Sequence, residues 1–266
     1  MKTSLAFFLL TGALAYGQGA PASRLETSPR HREWVKVKSG QREVSCFITY
    51  PEAKDKAPAV LVIHEIFGLS DWVRGVTDQL AEHGCIAIVP DLLSGMAPGG
   101  GGTSGFANVD AVIKAVSALP PDQVTADLNA VAAYVGALPA CNGRVSVAGF
   151  CWGGGQAFRY ATNNRQLRAA FVFYGPGPEQ TADIARIACP VYGFYAGNDA
   201  RITATVPATT RLTLAAGRTF ESVIYDGAGH GFMRAGEEAN ATPANQQAMV
   251  AGWKRWLELL ARVNGG

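Results

Sequence analysis

From residue 33 onward the chain alternates short apolar runs, rich in β-branched and aromatic residues, with segments of helical period. EWVKVKS (33–39) and EVSCFITYP (43–51) open the series and read as an antiparallel pair near a sheet edge. APAVLVIHE (57–65) and CIAIVPD (85–91) are continuous apolar runs, as expected of strands covered on both faces. RVSVAGF (144–150), AAFVFYG (169–175), PVYGFYAG (190–197) and FESVIYDG (220–227) follow. Helical patterns occupy 70–84, 107–119, 122–138 and 153–164, and 245–263 closes the chain with Trp253, Trp256 and Leu260 on one face. Such alternation predicts one α/β domain over residues 34–266, a mostly parallel twisted sheet of about eight strands with helices on both faces. The Gly-rich stretch 94–105 predicts a flexible loop.

The first residues carry a different pattern. Met1-Lys2 gives a short basic start, Ser4 to Tyr16 are apolar, and small residues follow. This is the layout of a secretory signal peptide, expected over residues 1–20, and it places the protein outside the cell or in the periplasm. Residues 21–33 then read as a flexible leader. Export bears on the five cysteines: an odd count in an oxidising compartment leaves at least one thiol free or bridged to another chain. Cys85 and Cys189 open apolar strands, where a buried, inert thiol is the default, and the spacing of Cys46, Cys85, Cys141 and Cys189 does not decide any pairing. No Cys/His cluster has metal-ligand spacing. A net charge of +2 without a basic run argues against nucleic acid as a partner. The expectation is a monomer, free of the membrane after signal cleavage, acting on a small molecule.

In parallel sheets of this kind, sites gather at the carboxyl ends of the strands. Gly149-Phe150-Cys151-Trp152-Gly153-Gly154 makes a tight strand-to-helix turn after RVSVAGF, the geometry that raises a nucleophile at the sheet edge. The N-terminus of the following helix would favour the thiolate. Asp199 follows the next-to-last strand; it is either a carboxylate that orients an imidazole or a helix cap. His230, between glycines on the loop after the last strand, is placed to act as a general base, whereas His64 and His83 accompany a strand and a helix end. Nucleophile, acid and histidine at successive strand ends are the arrangement of α/β-hydrolases. In that arrangement the loop after the early strand, His64-Glu65-Ile66, supplies one oxyanion donor, so the expected pair of N–H groups is Ile66 and Trp152.

HEIFGLSDWVR, CIAIVPDLL, GFCWGGG, YAGND and GAGHGF resemble the dienelactone hydrolase family of α/β-hydrolases, in order and spacing, from about Glu43 to the end. The resemblance implies a Cys151–His230–Asp199 triad that hydrolyses esters and lactones through a thioester, without metal or organic cofactor. It also implies that Glu65 pairs with Arg234 until substrate displaces it, and then turns to activate the thiol. An exported thiol held unreactive in this way is protected from oxidation. One departure narrows the substrate. Dienelactone-cleaving members hold the substrate carboxylate with Arg and Tyr groups from the segment after the PDL strand, and here LLSGMAPGGGGTSGFANVD has neither. Arg234, with Arg201 as a helper, remains to meet an anionic group, and an ester or lactone other than dienelactone is expected. Two other readings stand beside this one. An acyl-peptide or polyester hydrolase on the same scaffold would use a site left open by the Gly-rich loop. A non-catalytic binding protein would have no need of intact Cys151, Asp199 and His230.

Overall fold

The computed structural model describes residues 21–265, so the expected signal peptide lies outside the described residues. The strands are β1 (Arg32–Ser39), β2 (Arg42–Thr49), β3 (Ala57–Ile63), β4 (Ile86–Pro90), β5 (Cys141–Phe150), β6 (Ala170–Phe173), β7 (Val191–Ala196) and β8 (Phe220–Tyr225). They form one eight-stranded sheet in the order β1-β2-β4-β3-β5-β6-β7-β8. β1 and β2 pair antiparallel, as do β2 and β4, and every other pair is parallel. This is the α/β-hydrolase architecture.

Because side chains alternate across a strand, each central strand feeds two cores. Ala59, Leu61 and Ile63 of β3 enter one cluster with Val147 of β5, while Val60 and Val62 join Ala148 and Phe150 in the other. Helices α3 (Val109–Ser117), α4 (Pro121–Gly136) and α5 (Trp152–Ala161) cover the first face. Helices α2 (Asp71–Glu82) and α10 (Pro243–Asn264) cover the second, where Trp253 stacks on Trp256 at 4.9 Å and Trp256 meets Phe173 edge-on. Both faces are thereby sealed, as parallel strands without a polar side require. The short helix α6 (Thr181–Ile184) links β6 to β7, and between β7 and β8 the chain forms two short helices, α7 (Ala200–Thr203) and α8 (Val206–Ala215).

The segment 21–33 departs from the expected flexible leader. Pro21–Thr27 is helix α1, Leu25 is buried, and β1 has already begun at Arg32. The physical reason is Asp78 of α2, a fully buried carboxylate that cannot be left without partners. Ser28 and Arg30 supply them: the hydroxyl donates to Oδ1, and the guanidinium donates through Nε at 3.0 Å and through its terminal nitrogen at 2.7 Å.

The Gly-rich loop is also pinned. Asp91 accepts from the Leu93 N–H, the Thr103 N–H and the Thr103 hydroxyl, at 3.1, 2.7 and 2.8 Å. That hydroxyl in turn accepts from the Leu69 N–H at 3.1 Å. Glycine content gave the loop its conformational range, and one buried carboxylate fixes it.

Candidate active site

β5 ends at Phe150 and α5 begins at Trp152, so Cys151 alone makes the turn. Its backbone sits at φ 56°, a costly conformation for a residue with a side chain. A Cβ at Gly149 would overlap the Gly153 carbonyl, and one at Gly153 would overlap the carbonyls of Ile63 and His64, so neither position admits another residue. The Cys151 N–H donates to Phe173 O at 3.0 Å, which ties the turn to β6 and leaves the thiol half-buried at the sheet's carboxyl edge.

His230 comes from the loop after β8. Its Nδ1 lies 2.5 Å from Asp199 Oδ2, and it lines the same cavity as Cys151. Asp199 fills both of its sequence readings at once, since its other oxygen caps α7 by accepting from the Ile202 N–H. The acid and histidine loops are clipped together: Gly197 N–H donates to Tyr225 O and Asn198 N–H to Ala228 O. Asn245, at the start of α10, accepts from the Gly229 N–H at 2.8 Å and fixes the residue before the imidazole.

The nearby Cys151 side chain raises the His230 pKa to about 9 despite partial burial, with Asp199 adding to the effect. A pKa raised on folding means that the native state binds the proton more tightly than the unfolded chain. The resulting stabilisation is present in full below about pH 6.5, the ordinary imidazole value. It is lost as pH rises through about 9. Urea midpoints at the two pH values should therefore fall more for the wild type than for His230→Gln.

Glu65 lies buried at the end of β3 and accepts from Arg234 Nε at 2.8 Å. Arg234 sits in a short helix, α9 (Phe232–Ala235), and also reaches Glu238 at 3.0 Å while its guanidinium covers the Phe67 ring. Burial pushes the Glu65 carboxyl up, and Arg234 opposes it. Ile66 and Trp152 flank the thiol, and neither backbone N–H is spent on a hydrogen bond within the described residues. Those are the donors the sequence places around an oxyanion.

Two residues here escaped the sequence reading. Tyr174 follows β6 with φ 40°; among the described residues only it and Cys151 combine a side chain with positive φ. Its ring meets His230 edge-on at 5.1 Å, and its buried hydroxyl, without a hydrogen-bond partner, faces Glu65 and Cys151. The available signal is position, because β6 ends at the same sheet edge as the strands that precede Glu65, Cys151, Asp199 and His230. His64 is the other. Fully buried, it donates from Nδ1 to Glu65 O at 2.7 Å and stacks on Trp152 at 5.7 Å, so one imidazole braces both flanks of the thiol.

These groups open into a cavity of about 490 Å³ bounded by α5, the stretch 174–179 and α7. No residue of the 94–105 loop lines it, so that loop does not set its openness. All five cysteines are free thiols, and the other four are buried.

The model of the dienelactone hydrolase family matches residues 44–264. The chain belongs to that family. A Salmonella typhi protein named "Putative carboxymethylenebutenolidase" is 34% identical over 236 residues, 84% of each chain. A carboxymethylenebutenolidase of Pseudomonas sp. (strain P51) is 30% identical over 79% of this chain and 87% of its own. Among solved structures, a "Putative Dienelactone Hydrolase" of Klebsiella pneumoniae superposes with a TM-score of 0.75 at 29% identity, covering 86% of this chain and 97% of the other. Membership makes ester or lactone hydrolysis the general chemistry of this chain.

Proposed function

We propose that the protein is an exported hydrolase of carboxylic esters or lactones that works through a thioester on Cys151. The observation that carries this reading is one cavity that holds Cys151, on a turn at positive φ beside two uncommitted N–H groups, together with His230, itself bonded to Asp199. Export rests on the basic start and apolar stretch of residues 1–20.

Asp199, 2.5 Å from Nδ1, holds His230 as the proton donor of the site, so the thiol proton goes to another group. Glu65 is that group. Substrate draws it from Arg234, and it takes the Cys151 proton. The thiolate then adds to the carbonyl, whose oxyanion is met by the Ile66 and Trp152 N–H groups. Collapse breaks the C–O bond, and the His230 imidazolium gives its proton to the departing alkoxide. Neutral His230 next takes a proton from water, and the hydroxide cleaves the thioester to release the acid. The thiolate finally recovers its proton from Glu65, which returns to Arg234. Asp199 holds the imidazole in register throughout.

The test is turnover of purified protein on a panel of small lactones and of 4-nitrophenyl esters from acetate to octanoate. Hydrolysis within the panel is expected, and its absence from both classes would reject the reading.

A further inference from the structure

We infer that Arg159, assisted by Arg201 at the cavity mouth, forms an anion subsite, so the preferred substrate is an ester whose acyl chain ends in a carboxylate remote from the scissile carbonyl. The inference rests on the hydrolase reading and specifies its substrate class.

Helical spacing sets out the geometry. Cys151, Gly155 and Arg159 stand four residues apart and all line the cavity, so one face of α5 forms its wall. The guanidinium-bearing residue lies about 12 Å along the helix from the nucleophile. A Cβ at Gly155 would come within 3.2 Å of Pro176 Cδ, so the glycine between them keeps the channel clear.

Arg159 is held rigidly, and the one carboxylate that acts on it, Asp122, does so from beyond ion-pair distance. Nε donates to Gln156 Oε1 at 2.9 Å, and the terminal nitrogens donate to Thr125 Oγ1 at 2.9 Å and Pro121 O at 2.8 Å. All three acceptors are neutral, and among the described residues no carboxylate forms an ion pair with it. A half-buried cation fixed by neutral acceptors is a preorganised partner for an anion, since its positioning is complete before the ligand arrives. Arg201 is exposed and has neither a hydrogen bond nor an ion pair among the described residues.

The opposing charges do not cancel these two. Of the acids lining the cavity, Asp183 is bound to Arg186 at 2.9 Å, which leaves only Glu179, exposed and without an ion pair among the described residues. Arg234, the anion partner expected from sequence, is occupied by Glu65 and Glu238 and does not line the cavity.

The experiment pairs esters that differ only at the chain end: mono-4-nitrophenyl adipate against 4-nitrophenyl hexanoate, and mono-4-nitrophenyl suberate against 4-nitrophenyl octanoate. Charge-assisted hydrogen bonds of this kind predict that kcat/KM favours the anionic member of at least one pair by roughly tenfold or more. Arg159→Gln should bring that ratio close to one, mainly through KM, while Arg159→Lys should retain part of it and Arg201→Gln should reduce it. The ratio is insensitive to a misfolded fraction, which lowers both rates alike. A wild-type ratio near one in both pairs, or an unchanged ratio in Arg159→Gln, overturns the subsite while leaving the hydrolase reading intact. No turnover of any of the four esters would also overturn the subsite, and only if the lactones of the panel fail as well is the hydrolase reading rejected with it.

Discussion

Cys151→Ala is expected to lower ester turnover by on the order of 10⁵-fold, the loss typical of removing a covalent nucleophile from an intact site. The substitution should leave the fold in place, because the side chain is only half-buried and the turn is held by the backbone bond to Phe173 O and by the glycines around it. Positive φ at residue 151 is no worse for alanine than for cysteine. Circular dichroism and a urea midpoint close to wild type would establish that the loss is chemical. Cys151→Ser should fall far below wild type as well, since a carboxylate such as Glu65 is a poor base for an aliphatic hydroxyl. A variant that keeps more than about a tenth of wild-type activity would reject covalent catalysis at this position.

The second large effect belongs to Glu65. Glu65→Gln keeps the shape and can still face Arg234, but it cannot accept the thiol proton. We expect kcat/KM to fall by about 10²–10⁴, the usual share of a general base. A second readout separates this role from simple disruption. In the resting protein Glu65 is engaged by Arg234, so it contributes little to thiol reactivity before substrate arrives. Alkylation of Cys151 by iodoacetamide should therefore proceed at nearly the same rate in Glu65→Gln as in wild type. A loss of activity smaller than tenfold would mean that His230 deprotonates the thiol itself. A matching collapse of alkylation would mean that Glu65 supports the site only structurally.

The fold was legible because its cause is local. Each buried strand announces itself as a continuous apolar run, and the helices show their own period, so eight strands and their order along the chain followed from pattern alone. Strand order across the sheet, with β4 between β2 and β3, depends on tertiary pairing and came from the structure. The leader and the Gly-rich loop depart from what their composition implies for a common reason. Both are ordered by a single buried carboxylate, Asp78 or Asp91, whose partners lie distant in sequence. No window of composition reports such a contact.

The candidate site divides along the same line. Cys151, Asp199, His230, Glu65 and Arg234 could be placed because a strand end, a turn or a family motif marks each of them. Tyr174, His64, Asn245 and Arg159 act by meeting residues from other elements, and their own neighbourhoods are unremarkable in sequence. Arg159 is the clearest case. On α5 it looks like an ordinary solvated arginine, and only the packing of 174–179 and α7 turns that helix face into a cavity wall.

The central claim is that acyl transfer passes through Cys151, and the most direct measurement traps that species. The protein is mixed with a 4-nitrophenyl ester, quenched in acid within one turnover, digested and analysed by mass spectrometry. The account predicts a peptide containing Cys151 heavier by the mass of one acyl group, with the adduct lost on treatment with hydroxylamine. Single-turnover release of 4-nitrophenol with Cys151 unmodified, or with the acyl group on another residue, would contradict it.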